Sequence, residues 1–258
     1  MNVPPLNPYY RSAIALVVMA GVLIAVAITT NRNDFISAVL VVAGLVCLLT
    51  GIIFTTLSGN DPLDLRYVCL LPVQGSINLV RICADMGIQG NACFIPNQRG
   101  GTNSTMQYQP VATYHGEPLS QDSFVTGKDT AGLLITPSCA ALLTLLREKD
   151  HLKIPSEMAA LQELVRELGV DVLEVATRIH STHEGDIITV TLEEYRLIGG
   201  CRAMFHESPR CCAIVPCPVC SLYATIFAEG TGKVIQMEHC SPDPNQPTVT
   251  AVFTVLHG

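Results

Sequence analysis

The sequence is short of charged residues. Asp, Glu, Lys and Arg make up 14% of its 258 residues, against about 25% in an average soluble domain. Basic residues are the scarcer kind, since 15 Lys and Arg stand against 22 Asp and Glu for a net charge of −7. Nucleic acid is excluded as the expected partner, because its phosphates require a basic surface. The low charge predicts that part of the chain lies in lipid.

The common enzyme signatures are absent as well. The sequence has no Gly-x-Gly-x-x-Gly motif, no phosphate loop with Gly-Lys-Ser or Gly-Lys-Thr, and no Gly-x-Ser-x-Gly motif. His180 and His183, with Glu184, could ligate a metal, but in an exposed turn they are more typical of solvated side chains. We assign no catalytic residue and expect a binding protein.

Two long runs without charge lie near the N-terminus, at 12–31 and 35–60. About 20 apolar residues in a helix cross the hydrocarbon core of a bilayer. We therefore predict spanning helices over about 12–31 and 35–57, joined by a short turn at 32–34 into a transmembrane hairpin. The alternative for the first run is a signal peptide cleaved after 25–27, which would leave the second run as an anchor.

Small residues recur every four positions in both runs, at Gly21 and Ala25 and at Ala43, Cys47 and Gly51. This spacing lets two helix backbones approach closely. We expect these residues to pack the hairpin together. A membrane-protein partner or a second copy of the chain is the alternative use of such a face.

The remaining residues, 61–258, predict an α+β domain, which we divide into 61–155 and 156–258. Three stretches repeat one plan, a helix, a turn with glycine and two strands. The predicted helices cover about 77–86, 156–168 and 217–229, ended by Gly87, Gly169 and Gly230, with an extra helix over 137–149. The predicted strand pairs cover about 92–95 with 106–111, 173–179 with 187–192 across a turn at 181–186, and 233–239 with 248–256.

The chain has 11 cysteines, an odd number without regular spacing. Such usage favours a reducing compartment over a disulfide framework. We therefore expect the domain and both termini to lie in the cytoplasm, on the inner side of the cell membrane.

The densest cysteine group is Cys211, Cys212, Cys217 and Cys220. Two thiolates three positions apart at a helix start can hold one tetrahedral ion, since the helix N-terminus favours their charge. We predict these four as metal ligands, with His206, His239 and Cys240 as alternates, and with Cys201 also upstream. Zinc is the first expectation and an iron–sulfur cluster the second.

Two other interpretations of the same group stay open. Cys217-Pro218-Val219-Cys220 has the form of a redox dithiol, whose first cysteine is activated by the helix dipole. The cysteines could also be small apolar side chains that fill contacts between helix and sheet, as the neighbouring Ala213, Ile214 and Val215 suggest.

Over 157–256 the chain resembles the 4-vinyl reductase type of ligand-binding domain, an α+β module related to transport-particle subunits of the Golgi. The resemblance rests on Glu167-Leu168-Gly169-Val170, the hairpin to Leu192, the cysteine-rich entry into the helix at 217–230, and Gly232-Lys233 before a strand. Over its whole length the chain is similar to uncharacterised archaeal proteins with two spanning helices before such a domain.

The resemblance implies binding of a small apolar or metal-containing ligand. The expected function is that of a membrane-anchored sensory or accessory protein that binds a small molecule or a metal. A thiol redox protein and a structural subunit of a membrane complex are the alternatives.

Overall fold

The structure is a computed structural model that describes residues 8–30, 35–58, 64–96, 105–120, 122–127 and 130–257. The chain divides into two compact units, Met1–Leu63 and Asp64–Gly258. The predicted turn at 32–34 lies outside the described residues.

The first unit contains two apolar helices, α1 (Pro8–Thr30) and α2 (Phe35–Ser58). Both are long and apolar enough to cross a membrane. Few of their side chains are buried, and large apolar ones such as Phe35, Ile36 and Val42 are exposed. Water does not favour so much exposed apolar surface, whereas hydrocarbon does.

The two helices pack antiparallel through small residues spaced by seven rather than by four. Ala13 and Ala20 of α1 are buried, and Gly51 and Gly44 of α2 lie against their backbones. A side chain returns to the same face of a helix after seven residues, which keeps one seam in contact along the pair. Gly21 was predicted at this contact, but no atom of the other helix lies within 4 Å of the position that a Cβ at Gly21 would occupy.

The second unit is built on one antiparallel sheet. Its strands are β1 (Cys93–Ile95), β2 (Met106–Pro110), β3 (Phe124–Val125), β4 (Gly132–Ile135), β5 (Arg178–Glu184), β6 (Ile187–Glu193), β7 (Val234–Pro242) and β8 (Val249–Leu256). Their order is β3-β4-β2-β1-β7-β8-β6-β5. Because β1 pairs with β7, strands from both predicted halves of the domain share one sheet.

Helices pack against this sheet and against one another. They are α3 (Leu65–Val68), α4 (Val73–Asp85), α5 (Ala140–Lys149), α6 (Met158–Glu167), α7 (Ile198–Glu207), α8 (Cys211–Ile214) and α9 (Pro218–Thr231), with a π-helix at Leu168–Val172. The central helix is α9, in which all ten residues from Val219 to Ala228 are buried. A helix buried on every side belongs in the middle of a core, and α9 contacts α6, β1 and β7.

The hairpin of β5 and β6 closes later than the sequence analysis predicted. The turn is the two residues Gly185 and Asp186, not 181–186, so the strand continues through His183 and Glu184. Gly185 has a φ of +60°, which two-residue hairpin loops use and which only glycine adopts without strain.

The end of α9 also differs from the prediction. Gly232, with a φ of +67°, caps the helix, two residues beyond the predicted Gly230. Gly230 has another role, since a side chain there would collide with Leu161 and with the carbonyl oxygen of Pro155. Both glycines are required, one by backbone conformation and one by close packing.

Candidate metal centre

Three buried thiols from three different elements meet beneath the sheet. They are Cys212 of α8, Cys220 of α9 and Cys240 of β7, whose sulfur atoms all lie within 4.8 Å of one another. The sulfurs of Cys220 and Cys240 are 3.8 Å apart. Sulfurs bound to one zinc at about 2.3 Å stand roughly 3.8 Å apart in a tetrahedron, so this group has the dimensions of a metal site.

The start of α9 positions one of these thiols and a fourth beside it. Cys217 is the extended residue before the helix, and Pro218 occupies the first helical position, where its missing N–H costs nothing. Cys220 then falls in the first turn. The helix N-terminus carries partial positive charge, which stabilises thiolates at both positions.

A β-bulge brings Cys240 into the group. Met237 pairs with Phe253 while His239 pairs with Val252, so Glu238 is an extra residue in β7. Side chains alternate between the two faces of a strand, and one extra residue reverses the alternation beyond it. Cys240 is therefore buried and His239 exposed.

Five thiols in all form one cluster, because Cys201 of α7 and Cys217 also interact with the three. Hydrogen bonds donated by Cys201, Cys212 and Cys220 hold the pKa of Cys217 and of Cys240 well below the ordinary thiol value. Hydrogen bonds within the cluster and then burial raise the pKa of the three donors. Metal ligation requires thiolates, and Cys217 and Cys240 lose their protons most readily.

The predicted ligand set overlaps with this cluster but differs from it at Cys211. Cys212, Cys217 and Cys220 belong to the cluster, and so does Cys240, which was predicted as an alternate. Cys211 is fully buried outside the group, and burial raises its pKa. His206 and His239 are exposed on the surface.

The histidines near the hairpin turn lie apart from the cluster. His180, His183 and Glu184 are exposed on β5, the edge strand of the sheet. His180 lies 3.8 Å from a carboxylate oxygen of Glu193 on the paired strand. Among the residues that the structure describes, the group with metal-site dimensions consists of Cys212, Cys220 and Cys240.

Two openings border the cluster. A recess of about 10 Å³ lies against Cys201, Cys212 and Cys240. A much larger cavity of about 320 Å³ has Cys201 and Cys217 in its wall. Sequence reasoning missed this cavity, because no motif marks the distant segments that meet around it.

Fold and site together define a class of protein: an α+β domain with a buried polythiol cluster, preceded in the chain by two apolar helices. The chain belongs to the family described as a domain of unknown function, DUF7982, whose model matches residues 7–253. No curated protein and no solved structure matches the chain.

Proposed function

We propose that this protein is a membrane-anchored metal-binding protein, with a sensory or accessory role rather than a catalytic one. Cys212, Cys220 and Cys240 are the core ligands, and Cys217 or Cys201 supplies the fourth. The observation that carries the proposal is the convergence of three buried sulfurs within 4.8 Å from three separate elements. Buried thiols that bind no metal gain little stability from lying together, whereas a soft cation can bind all of them at once.

Zinc is the proposed ion because it takes four thiolates in a closed tetrahedral site and brings no redox chemistry. An iron–sulfur cluster is the second option, since Cys ligands also hold it. In either case the ion would join α8, α9 and β7 and so stabilise the fold around the cluster.

Membrane anchoring is the second part of the proposal. Its support is the exposed apolar surface of α1 and α2, which is unfavourable in water and favourable in the hydrocarbon of a bilayer. No disulfide joins any of the 11 cysteines, all of which the structure describes, and this supports a cytoplasmic location for the domain. If the chain is anchored, it sediments with membranes at high speed and leaves them only with detergent; recovery in the supernatant without detergent would contradict the proposal.

Elemental analysis of the detergent-purified full chain tests the metal site. We expect about one zinc per chain, lost when Cys212, Cys220 or Cys240 is changed to Ser. Cys211→Ser is the matched control, because Cys211 is equally buried and adjacent in the chain but lies outside the group. Equal loss in Cys211→Ser, or a parent protein that holds neither zinc nor iron, would refute the site.

A thiol redox protein is the second candidate function, favoured by the low pKa of Cys217 and its hydrogen bond with Cys220. In that reaction the two thiols would become a disulfide, passing two electrons and two protons to a disulfide substrate that leaves as a dithiol. Iodoacetamide titration of the metal-free chain tests it. An alkylation pKa of ordinary value at both cysteines would remove this candidate.

The resemblance to the 4-vinyl reductase domain belongs to the same proposal. Its support is the order of α6, the hairpin β5–β6 and the cysteine-led α9 before β7.

A structural subunit of a membrane complex is the remaining alternative. It predicts a partner that co-purifies at fixed stoichiometry with the detergent-solubilised chain, whether or not Cys212 is changed to Ser.

A further inference from the structure

The cavity beside the thiol cluster is shaped by three parts of the second unit. Its wall consists of residues from 68–73, residues of α7 with Tyr195 and Leu197 before it, and the start of α9. The lining surface is almost wholly apolar, and its volume of about 320 Å³ lies at the lower end of the range of about 300–1,000 Å³ for small-molecule sites. Such a cavity has room for one apolar chain and offers few partners to a polar group.

The rim segment of the cavity, 65–71, exposes large apolar side chains. Leu71 lines the cavity and is 76% exposed, whereas Leu65, Tyr67 and Leu70 are exposed outside its wall. Four exposed large apolar side chains within seven positions are unfavourable in water. An apolar molecule that entered from a lipid phase would meet apolar surface from the rim inward.

The segment that forms this rim is close in the chain to an apolar helix. Six residues separate Ser58, the end of α2, from Leu65, the start of α3. In a protein anchored through α2, the rim segment can therefore lie no farther from the end of α2 than six residues reach. Molecules that dissolve in the bilayer are the ligands this placement favours.

We propose that the cavity binds the hydrocarbon chain of a single-chain lipid, a fatty acid, whose carboxylate stays in water at the mouth beside Leu71. Burial of the hydrocarbon chain supplies the binding free energy, because each methylene leaves water for an apolar wall. This site is separate from the proposed metal site, although Cys201 and Cys217 border both. It rests on membrane anchoring and not on the identity of the metal.

Tryptophan fluorescence tests the proposal, since the chain has no Trp of its own. The full chain with Leu71→Trp is reconstituted into phosphatidylcholine vesicles and titrated with a brominated fatty acid, which quenches nearby Trp. We expect saturable quenching with about one acid bound per chain. Leu70→Trp is the matched control, because Leu70 is exposed in the same turn but does not line the cavity; its quenching should not saturate.

A second substitution in the Leu71→Trp chain blocks the cavity. Leu197 is a half-buried wall residue, and Leu197→Phe should weaken binding about tenfold or more by filling the space. If that variant misfolds by circular dichroism, Val68→Phe fills the same cavity from α3. Absence of saturable quenching, equal quenching at positions 70 and 71, or unchanged affinity in the filled and folded variant would each overturn the proposal. Zinc content, measured on the same samples, reports separately on the metal site.

Discussion

Adjacent side chains in a short helix can point into different surroundings, as those of Cys211 and Cys212 do. Each residue of a helix turns about 100° from the previous one, so two neighbouring thiols cannot both point at one ion. Cys212 joins Cys220 and Cys240, whereas Cys211 is buried outside their group. The Cys-Cys doublet therefore contributes one thiol to the group, and β7 supplies another.

Asp243 gives a pH-dependent prediction at the residue scale. Its Oδ1 accepts the backbone N–H of Asn245 at 2.7 Å and of Gln246 at 2.8 Å, and these bonds lower its pKa. Its folded pKa therefore lies below the unfolded value of about 4. The resulting stability is present above that value and disappears as the pH falls through the folded pKa.

We expect Asp243→Ala to lower the Tm of the detergent-solubilised chain at about pH 7, and the difference should shrink as the pH falls below about 4. Asp243→Asn, which keeps an acceptor oxygen, should lose less. Thermal scans across this pH range measure the effect, and a loss of equal size at every pH would show that the two hydrogen bonds are not its source.

At the scale of elements, local signals in the sequence were sufficient for some features and not for others. The helix predicted over about 217–229 starts within one residue of α9, because Pro218 at the first helical position fixes that turn locally. The orientation of Cys240 could not be predicted, because nothing about Glu238 in the sequence indicates a bulge. Regular alternation through Glu238 would turn His239 inward and Cys240 outward. The strands β3 and β4 were missed, because two and four residues are too few to show a period.

Deletion of Glu238 tests whether this residue is the extra one in the bulge. Without it, Met237 should still face the core, His239 the solvent and Cys240 the core, because the alternation of β7 then runs on without interruption. We therefore expect the purified deletion variant to hold about as much zinc as the parent. Cys240→Ser is the contrast and should hold well under half of it; a deletion variant that loses its zinc would contradict the bulge assignment.

The cap of α9 gives a second prediction at this scale. Gly232 has a φ of +67°, a left-handed conformation that costs residues with a Cβ about 1 kcal/mol. Gly232→Ala should therefore lower the Tm, and Gly232→Asn should lower it less. Gly75 within α4 has open space around it and no left-handed backbone, so Gly75→Ala should leave the Tm unchanged or raise it. A Tm that falls equally in both alanine variants would contradict the cap assignment.

At the scale of the whole molecule, the sequence was most informative about the largest features. Two charge-free runs predicted two long apolar helices, since that signal is a sum over some 20 residues. The single sheet was not evident, because the paired residues of β1 and β7 are separated by at least 140 residues and no local pattern encodes that contact. The cavity is hidden for the same reason, as its wall comes from residues near 70, 200 and 218.

The shared wall between cavity and cluster predicts that the two sites influence each other. Cys201 and Cys217 line the cavity and also interact with the thiols proposed as ligands, so a hydrocarbon chain bound in the cavity would change the surroundings of an ion held by those thiols. Binding sites linked in this way affect each other reciprocally. Cobalt(II) in place of zinc makes the effect visible, because its absorption depends on its ligands.

We expect saturating fatty acid to shift the thiolate-to-cobalt absorption band of the full chain, and to leave it unshifted in the cavity-filled Leu197→Phe variant. By the same linkage, removal of the metal with a chelator should change the affinity of the Leu71→Trp chain for the brominated acid by about fivefold or more. If the acid binds with the same affinity to metal-free and metal-loaded protein and the cobalt band does not move, the two sites are independent and the predicted coupling through Cys201 and Cys217 is wrong.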